Sequence, residues 1–213
     1  MGGEDVPSPI DFRDPAQARA WVEETVKTRP YRPAFFAAFA EALGRRFDRP
    51  IDVLELGSGP GHLAQSLIGH TAIRRYVALD FSEAMHAIAR EVLGPLGERV
   101  EFTACDFREP DFARGLGSFD AVVTMQAAHE MRHRRHLVRF LETAASALKD
   151  GGILLYSDHY AEPGNGKNPD LMETRQRQKR ALEQAGLIDV MCLLDEGGMA
   201  LYQAVKPEIT IPP

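Results

Sequence analysis

The sequence predicts an α/β protein: a doubly wound, mostly parallel sheet of seven strands with helices on both faces, a C-terminal antiparallel hairpin and an N-terminal helical extension. Short apolar runs alternate with helix-like stretches from about residue 51 to 206, the order expected of parallel strands joined by right-handed crossovers. The first run, from Val53 to Leu56, is followed at once by Gly57, Gly59 and Gly61. The next two runs each end in an acid, Asp80 and Asp106.

The elements follow in order. Asp14 and Pro15 mark a helix start, and residues 16–27 have helical spacing around Trp21 and Thr25. The chain turns at Pro30, Tyr31, Arg32 and Pro33, and a second helix carries Phe35, Phe39 and Leu43 on one stripe, with Phe36 and Phe47 beside it. Strands are expected over 51–56, 74–80, 99–105, 119–125 and 152–158, with helices over 60–69, 82–93, 133–148 and 169–185. A closing antiparallel pair is expected near 187–194 and 199–206, turned by Gly197 and Gly198. The expected division is an N-terminal extension or lid, 1–49, and a core, 50–213, in one compact domain. The stretch 162–169 is rich in turn formers and is expected to be a mobile loop bordering the site.

The glycine turn is the first functional signal. A chain leaving a parallel strand must reverse sharply, and glycine both reaches the required φ and lets a ligand touch the backbone. The following helix presents unpaired N–H groups. Asp80 comes roughly 20 residues after the turn, the spacing at which a carboxylate meets ribose hydroxyls. His62 stands where a dinucleotide fingerprint needs glycine or alanine, which counts against NAD and FAD.

On these residues the chain resembles the class I S-adenosylmethionine-dependent methyltransferases, from about Ile51 to Lys206. Glu55, Gly57, Ser58, Gly59, Pro60 and Gly61 match the family's glycine-rich motif; Leu79 to Met85 match its acidic second-strand motif, and Cys105, Asp106 and Phe107 its third. Phe119 to Val123 and the turn 148–152 look like its fourth strand and the approach to its fifth. The resemblance implies a Rossmann-like fold and S-adenosyl-L-methionine as cofactor. It places the glycine turn, with Glu55, on the methionyl part, Asp80 on the ribose, Phe81 and Met85 around the adenine, and Asp106 and Phe107 at its edge. Ser58 and Gln126 are further contacts, and Tyr31 and Arg29 lid contacts, by resemblance alone.

For the acceptor side, His129 follows the fourth strand and His159 the fifth, neighbouring positions where a histidine can take a proton from an oxygen or nitrogen nucleophile. His129 is the expected base or orienting group. His129, Glu130 and His133 also spell H-E-x-x-H, a zinc-peptidase pattern, but the pentapeptide directly follows a strand and is surrounded by basic residues, so no metal is assigned.

Composition narrows the classes. The formal net charge of −6 argues against a protein built to hold nucleic acid. Arg132, Arg134, Arg135 and Arg139, with His133 and His136, are expected at the start of the helix before the fifth strand, as a solvated face or as the mouth for an anionic substrate. Cys105 and Cys192 are read as small buried hydrophobes, which speaks against arsenic as methyl acceptor. No apolar run reaches membrane-spanning length, and the acidic N-terminus lacks secretory character, so a cytoplasmic location is expected. The expected activity is methyl transfer to a small-molecule acceptor, at oxygen or nitrogen. The rivals are an RNA or protein methyltransferase and a silent cofactor-binding module.

Overall fold

The computed structural model describes residues 4–208; the ends of the two expected units, 1–3 and 209–213, lie outside the described residues. Seven strands form one sheet in the order β3-β2-β1-β4-β5-β7-β6. They are β1 (Ile51–Leu56), β2 (Ile73–Asp80), β3 (Val100–Ala104), β4 (Phe119–Met125), β5 (Leu148–His159), β6 (Ile188–Glu196) and β7 (Met199–Val205). The first five run parallel, and β7 is antiparallel to both β5 and β6. Strand order reverses between β1 and β4, the switch point at which such sheets bind ligands.

Every residue of β1 and β4 is buried, as helices on both faces require. Alternation divides the core. Leu54, Leu56, Val122 and Leu154 pack with α5 (Leu137–Ser146) and α6 (Arg175–Gln184). Val53, Tyr76, Val123 and Leu155 pack on the other face with α2 (Arg32–Arg46), α3 (His62–His70) and α4 (Glu83–Leu93). The phenylalanine stripe is part of that second layer, with Phe35, Phe39 and Leu43 fully buried. Helix α1 (Pro15–Thr28) is capped by Asp14, whose carboxylate accepts from the amides of Ala16 and Gln17, and its Ala18 packs on Met85 and Ile88 of α4.

Three expectations fail locally. The helix expected over 133–148 begins only at Leu137, because Arg132 takes a left-handed φ of 63° and splits the approach into two 3₁₀ turns, Ala128–Met131 and Arg134–His136. The helix expected over 169–185 begins at Arg175, after the Thr174 hydroxyl caps it; upstream, the Asn168 carbonyl accepts from the amides of Leu171 and Met172 in a turn. The cysteines are not both buried: Cys105 lies just past β3 and is half-buried, and Cys192 is exposed on the edge strand β6.

At the amino end of the sheet, remote from the switch point, Asp120 binds Arg49 at 2.7 Å, Lys149 at 2.9 Å and the Asp52 amide at 2.8 Å. Burial opposes its ionisation, yet these donors hold its carboxyl far below the usual range. Its native pKa therefore lies below the ordinary value of 3.8, so its contribution to stability is present above that pH and fades as pH falls through the native value. Asp120→Asn should cost about 2 kcal/mol at pH 7, less than the ~3–5 of a fully enclosed pair because Arg49 and Lys149 remain partly solvated. Urea unfolding at pH 7 and pH 2.5 checks this: the deficit should shrink in acid, and an equal deficit at both would contradict it.

Candidate functional site

A cavity of about 480 Å³ opens at the carboxyl ends of β1, β2 and β4. Its floor is the turn after β1, where Gly57, Gly59 and Gly61 all have positive φ, 67°, 51° and 80°. The amides of Gly57 and Ser58 donate to the Leu79 carbonyl at 2.8 and 3.0 Å, tying the turn to β2. Two of the glycines do different work. A Cβ on Gly57 would collide with the Cβ of Ala127, so that glycine lets the turn close against the end of β4. A Cβ on Gly59 would meet nothing within 4 Å, so this glycine leaves room in the cavity.

Two buried acids flank the turn. Asp80 accepts from the amides of Gly59 at 2.8 Å and Ser82 at 2.9 Å, and burial pushes its carboxyl up to about 6. Glu55 accepts from the Tyr76 hydroxyl at 2.7 Å. Burial pushes it up to about 8, with Tyr76 and Arg32 pulling the other way and Asp80 adding to the rise. Several buried polar atoms on residues of the cavity wall have no hydrogen-bond partner: Ser58 Oγ, His62 Nε2, Gln126 Oε1 and Arg32 Nε. Orphaned atoms beside an open glycine cradle fit a polar ligand that satisfies some of them.

Phe81, Met85 and Phe107 line the cavity, as does Arg29. Asp106 faces an adjoining cavity instead, its carboxylate taken by the Arg108 amide and guanidinium at 3.0 and 2.6 Å. Tyr31 does not line the site; its ring packs over Gly197 in the β6–β7 turn, where any Cβ would strike it.

At the far end, His129 is half-buried and its Nδ1 lies 2.7 Å from Asp158, while Nε2 lies 3.4 Å from Glu130. Burial disfavours the charged ring, but the two acids outweigh it and raise its pKa well above the ordinary value. Both carboxylates favour the charged ring of His129 over the neutral one. His159 is the opposite case, pushed down to about 4 by burial and by Lys167, His129 and Arg29, against the pull of Asp158. It lies outside the main cavity, in a narrow gap beside Tyr156 and Met172. Its Nδ1 faces the Gly198 carbonyl at 3.4 Å, which leaves Nε2 to accept from the Gln126 amide at 2.9 Å. The left-handed Arg132 also means that His129 and His133 share no helix face.

Arg139 of the basic cluster stands exposed on α5, but Arg132, Arg135 and His136 are drawn into contacts with the N-terminal segment. Arg132 is 8 % exposed and donates to the carbonyls of Val6 at 2.8 Å and Pro7 at 2.7 Å and to Glu130 at 3.1 Å. Its own carbonyl accepts from the Val6 amide at 2.8 Å. Arg135 and His136 both engage Asp5. These contacts clasp an N-terminal strap whose Val6, Pro7, Pro9, Ile10 and Phe12 wall the cavity, and the Ser82 hydroxyl holds the strap's other end through the Phe12 carbonyl. Sequence reasoning missed the strap, Arg32 and Asp158. Only Asp158, an acid at the carboxyl end of β5, carried a signal of the kind that found Asp80.

Residues 53–152 match the family model described as a methyltransferase domain. Among curated proteins, the chain is similar to a highly reducing polyketide synthase of Fusarium pseudograminearum, 31% identical over 127 residues, covering 56% of this chain and 5% of that protein. It is also similar to the tuberculostearic acid methyltransferase UfaA1 of Mycobacterium tuberculosis, 29% identical over 122 residues, covering 53% and 27%. The chain therefore spans only a small part of the length of these relatives. Among solved structures, an O-methyltransferase family protein from Burkholderia thailandensis superposes with a TM-score of 0.75 at 19% identity, covering 92% of this chain and 61% of that one. With its glycine turn, its strand-end acid and its sheet order in place, the chain carries a methyltransferase domain over residues 53–152, in a fold that it shares with solved S-adenosylmethionine-dependent methyltransferases.

Proposed function

We propose that the protein transfers a methyl group from S-adenosylmethionine to a small-molecule acceptor, at oxygen or nitrogen. The observation that carries this reading is the space at Gly59, between buried Glu55 and Asp80, on the floor of an otherwise walled cavity. When bound, the cofactor supplies a methyl group on a sulfonium centre. The chain supplies the rest. Glu55 meets an ammonium group, with Arg32 and Ser58 as partners for the neighbouring carboxylate; Pro60 and Gln126 complete that wall. Each Asp80 oxygen accepts one backbone amide and keeps a lone pair for a ribose hydroxyl. Phe81, Met85 and Phe107 give the adenine apolar walls, with Asp106 beyond them.

Arg132 turns inward and Arg135 pairs with Asp5, which takes two cations from the basic surface an RNA acceptor would use and supports a small acceptor. Among the described residues no helix is long and apolar enough to cross a membrane. Cys105 and Cys192 are both free thiols, which suits the cytoplasm as the location we propose.

Isothermal calorimetry with S-adenosylhomocysteine tests the cofactor site. Gly59→Val, checked for folding, should weaken binding by about 100-fold or more through collision with the ligand. Asp80→Ala should lose about 10–100-fold through its charge-assisted bonds, and far more than Asp120→Ala, which lies at the other end of the sheet. Unchanged affinity in Gly59→Val, or equal losses at Asp80 and Asp120, would overturn the assignment.

His129 is the acceptor-side base in this reading. Nδ1 faces Asp158 at 2.7 Å and Nε2 faces Glu130 at 3.4 Å, so in the neutral ring Nε2, the more weakly engaged nitrogen, is the atom to take the proton of an acceptor hydroxyl or amine. Because the ring's pKa is raised, only a minority is neutral near pH 7, and turnover should climb with pH until the ring is deprotonated. In a screen of hydroxyl and amine acceptors read by S-adenosylhomocysteine release, His129→Ala should keep cofactor affinity and lose about 100-fold in turnover. A flat pH profile with normal turnover in the variant would make His129 structural.

A further inference from the structure

The N-terminal strap is held at two ends, and the ends differ. At one, the Phe12 ring packs edge-on against Trp21 at 5.3 Å and Phe81 at 6.5 Å, and the Phe12 carbonyl accepts from the Ser82 hydroxyl. Just beyond it Asp14 caps α1, so this end continues into the body of the protein. At the other, the contacts are polar and converge on one residue. Arg132 donates through Nε to the Val6 carbonyl at 2.8 Å and through Nη2 to the Pro7 carbonyl at 2.7 Å, and its own carbonyl accepts from the Val6 amide at 2.8 Å.

Burial does not hold the strap down. Every residue from Glu4 to Phe12 is exposed or half-buried, although Val6, Pro7, Pro9, Ile10 and Phe12 line the cavity. A segment with so little buried apolar surface opens at low cost unless something else fixes it. Pro7 and Pro9 lock φ at two positions, so the stretch between the anchors moves as a stiff unit. Arg132, by contrast, is 8 % exposed and takes a left-handed φ of 63°, a backbone state that a long side chain adopts only at a cost. That conformation ends the 3₁₀ turn Ala128–Met131, and from it both the guanidinium and the carbonyl reach the strap. Glu130 accepts from the remaining nitrogen, Nη1, at 3.1 Å and keeps the fork oriented.

We propose that residues 5–12 form a gate over the cavity, hinged near Phe12 and latched by Arg132, through which ligands enter and leave. This rests on the methyltransferase reading above only for the choice of probe. The latch bonds join protein to protein, so they resist entry and exit alike. An arginine that instead touched the bound ligand would slow exit alone. The two roles therefore separate in the rate constants.

The chain's single tryptophan, Trp21, lines the cavity against Phe12, so its fluorescence reports occupancy. Stopped-flow fluorescence of the full chain with S-adenosylhomocysteine gives association and dissociation rates. Arg132→Met removes the guanidinium, Val6→Pro removes the amide that reaches the Arg132 carbonyl, and Arg139→Met, exposed on α5, is the control. Arg132→Met and Val6→Pro should each raise both rates about tenfold or more with Kd within about threefold, while Arg139→Met changes neither by more than about twofold. Deuterium exchange of the strap amides without added ligand should also speed up about tenfold or more in Arg132→Met. Thermal unfolding checks each variant, and Val6→Pro decides alone should Arg132→Met not fold. A rise in dissociation alone makes Arg132 a ligand contact, and unchanged rates make the strap a fixed wall; either result overturns the inference. Failure of wild type to bind S-adenosylhomocysteine overturns the methyltransferase reading itself, and the latch is then overturned by equal strap exchange in wild type and Arg132→Met.

Discussion

The carboxylate of Asp80 holds the amides of Gly59 and Ser82 at 2.8 and 2.9 Å, and much of the site depends on that grip. One oxygen fixes the glycine turn leaving β1, and the other fixes the residue that caps α4, so two crossovers meet on one side chain. Ser82 in turn reaches the Phe12 carbonyl and anchors the strap. A buried carboxylate is costly unless it is hydrogen-bonded, and here the donors are backbone amides whose positions the sheet already sets. The turn keeps its open centre at Gly59 because its edges are held by Asp80, by the Leu79 carbonyl and by contact with Ala127.

From that fixed floor the cavity divides electrically. Its β1–β2 end carries Glu55 and Asp80, whose pKa values burial raises to about 8 and about 6. Its β4 end carries His129, whose pKa the carboxylates of Asp158 and Glu130 raise against the effect of burial. The first end is thus prepared to lose a proton to solvent when a cationic ligand group binds beside it. The strap closes over both ends, and Arg132 links it through Glu130 to His129, so cover and acceptor chemistry share one chain of contacts.

The parts legible in the sequence were those governed by local pattern. The buried runs of β1 and β4, the glycine turn, the acid ending β2 and the phenylalanine stripe of α2 each state their constraint within a few residues. What escaped depends on partners far along the chain. Residues 132–139 read as a charged helix face, yet Arg132 meets carbonyls of Val6 and Pro7, more than a hundred positions away. Its left-handed backbone delays α5, which no arginine announces by composition. His129 and His159 look alike in sequence and shift in opposite directions because the carboxylates of Asp158 and Glu130 face the His129 ring, while burial and nearby cations press on His159. The family resemblance made Tyr31 a lid contact, but its ring sits instead against the bare Gly197.

The central claim is that a buried, protonated Glu55 beside an open glycine turn receives the ammonium of a methionyl ligand. Calorimetry of S-adenosylhomocysteine binding at pH 7, repeated in buffers of different ionisation enthalpy, measures the protons exchanged. A carboxyl at about 8 in the free protein that ionises against an ammonium releases about one proton on binding. Glu55→Gln should bind more weakly and abolish the release. Binding without proton release in the wild type, or the same release from Glu55→Gln, would contradict the account.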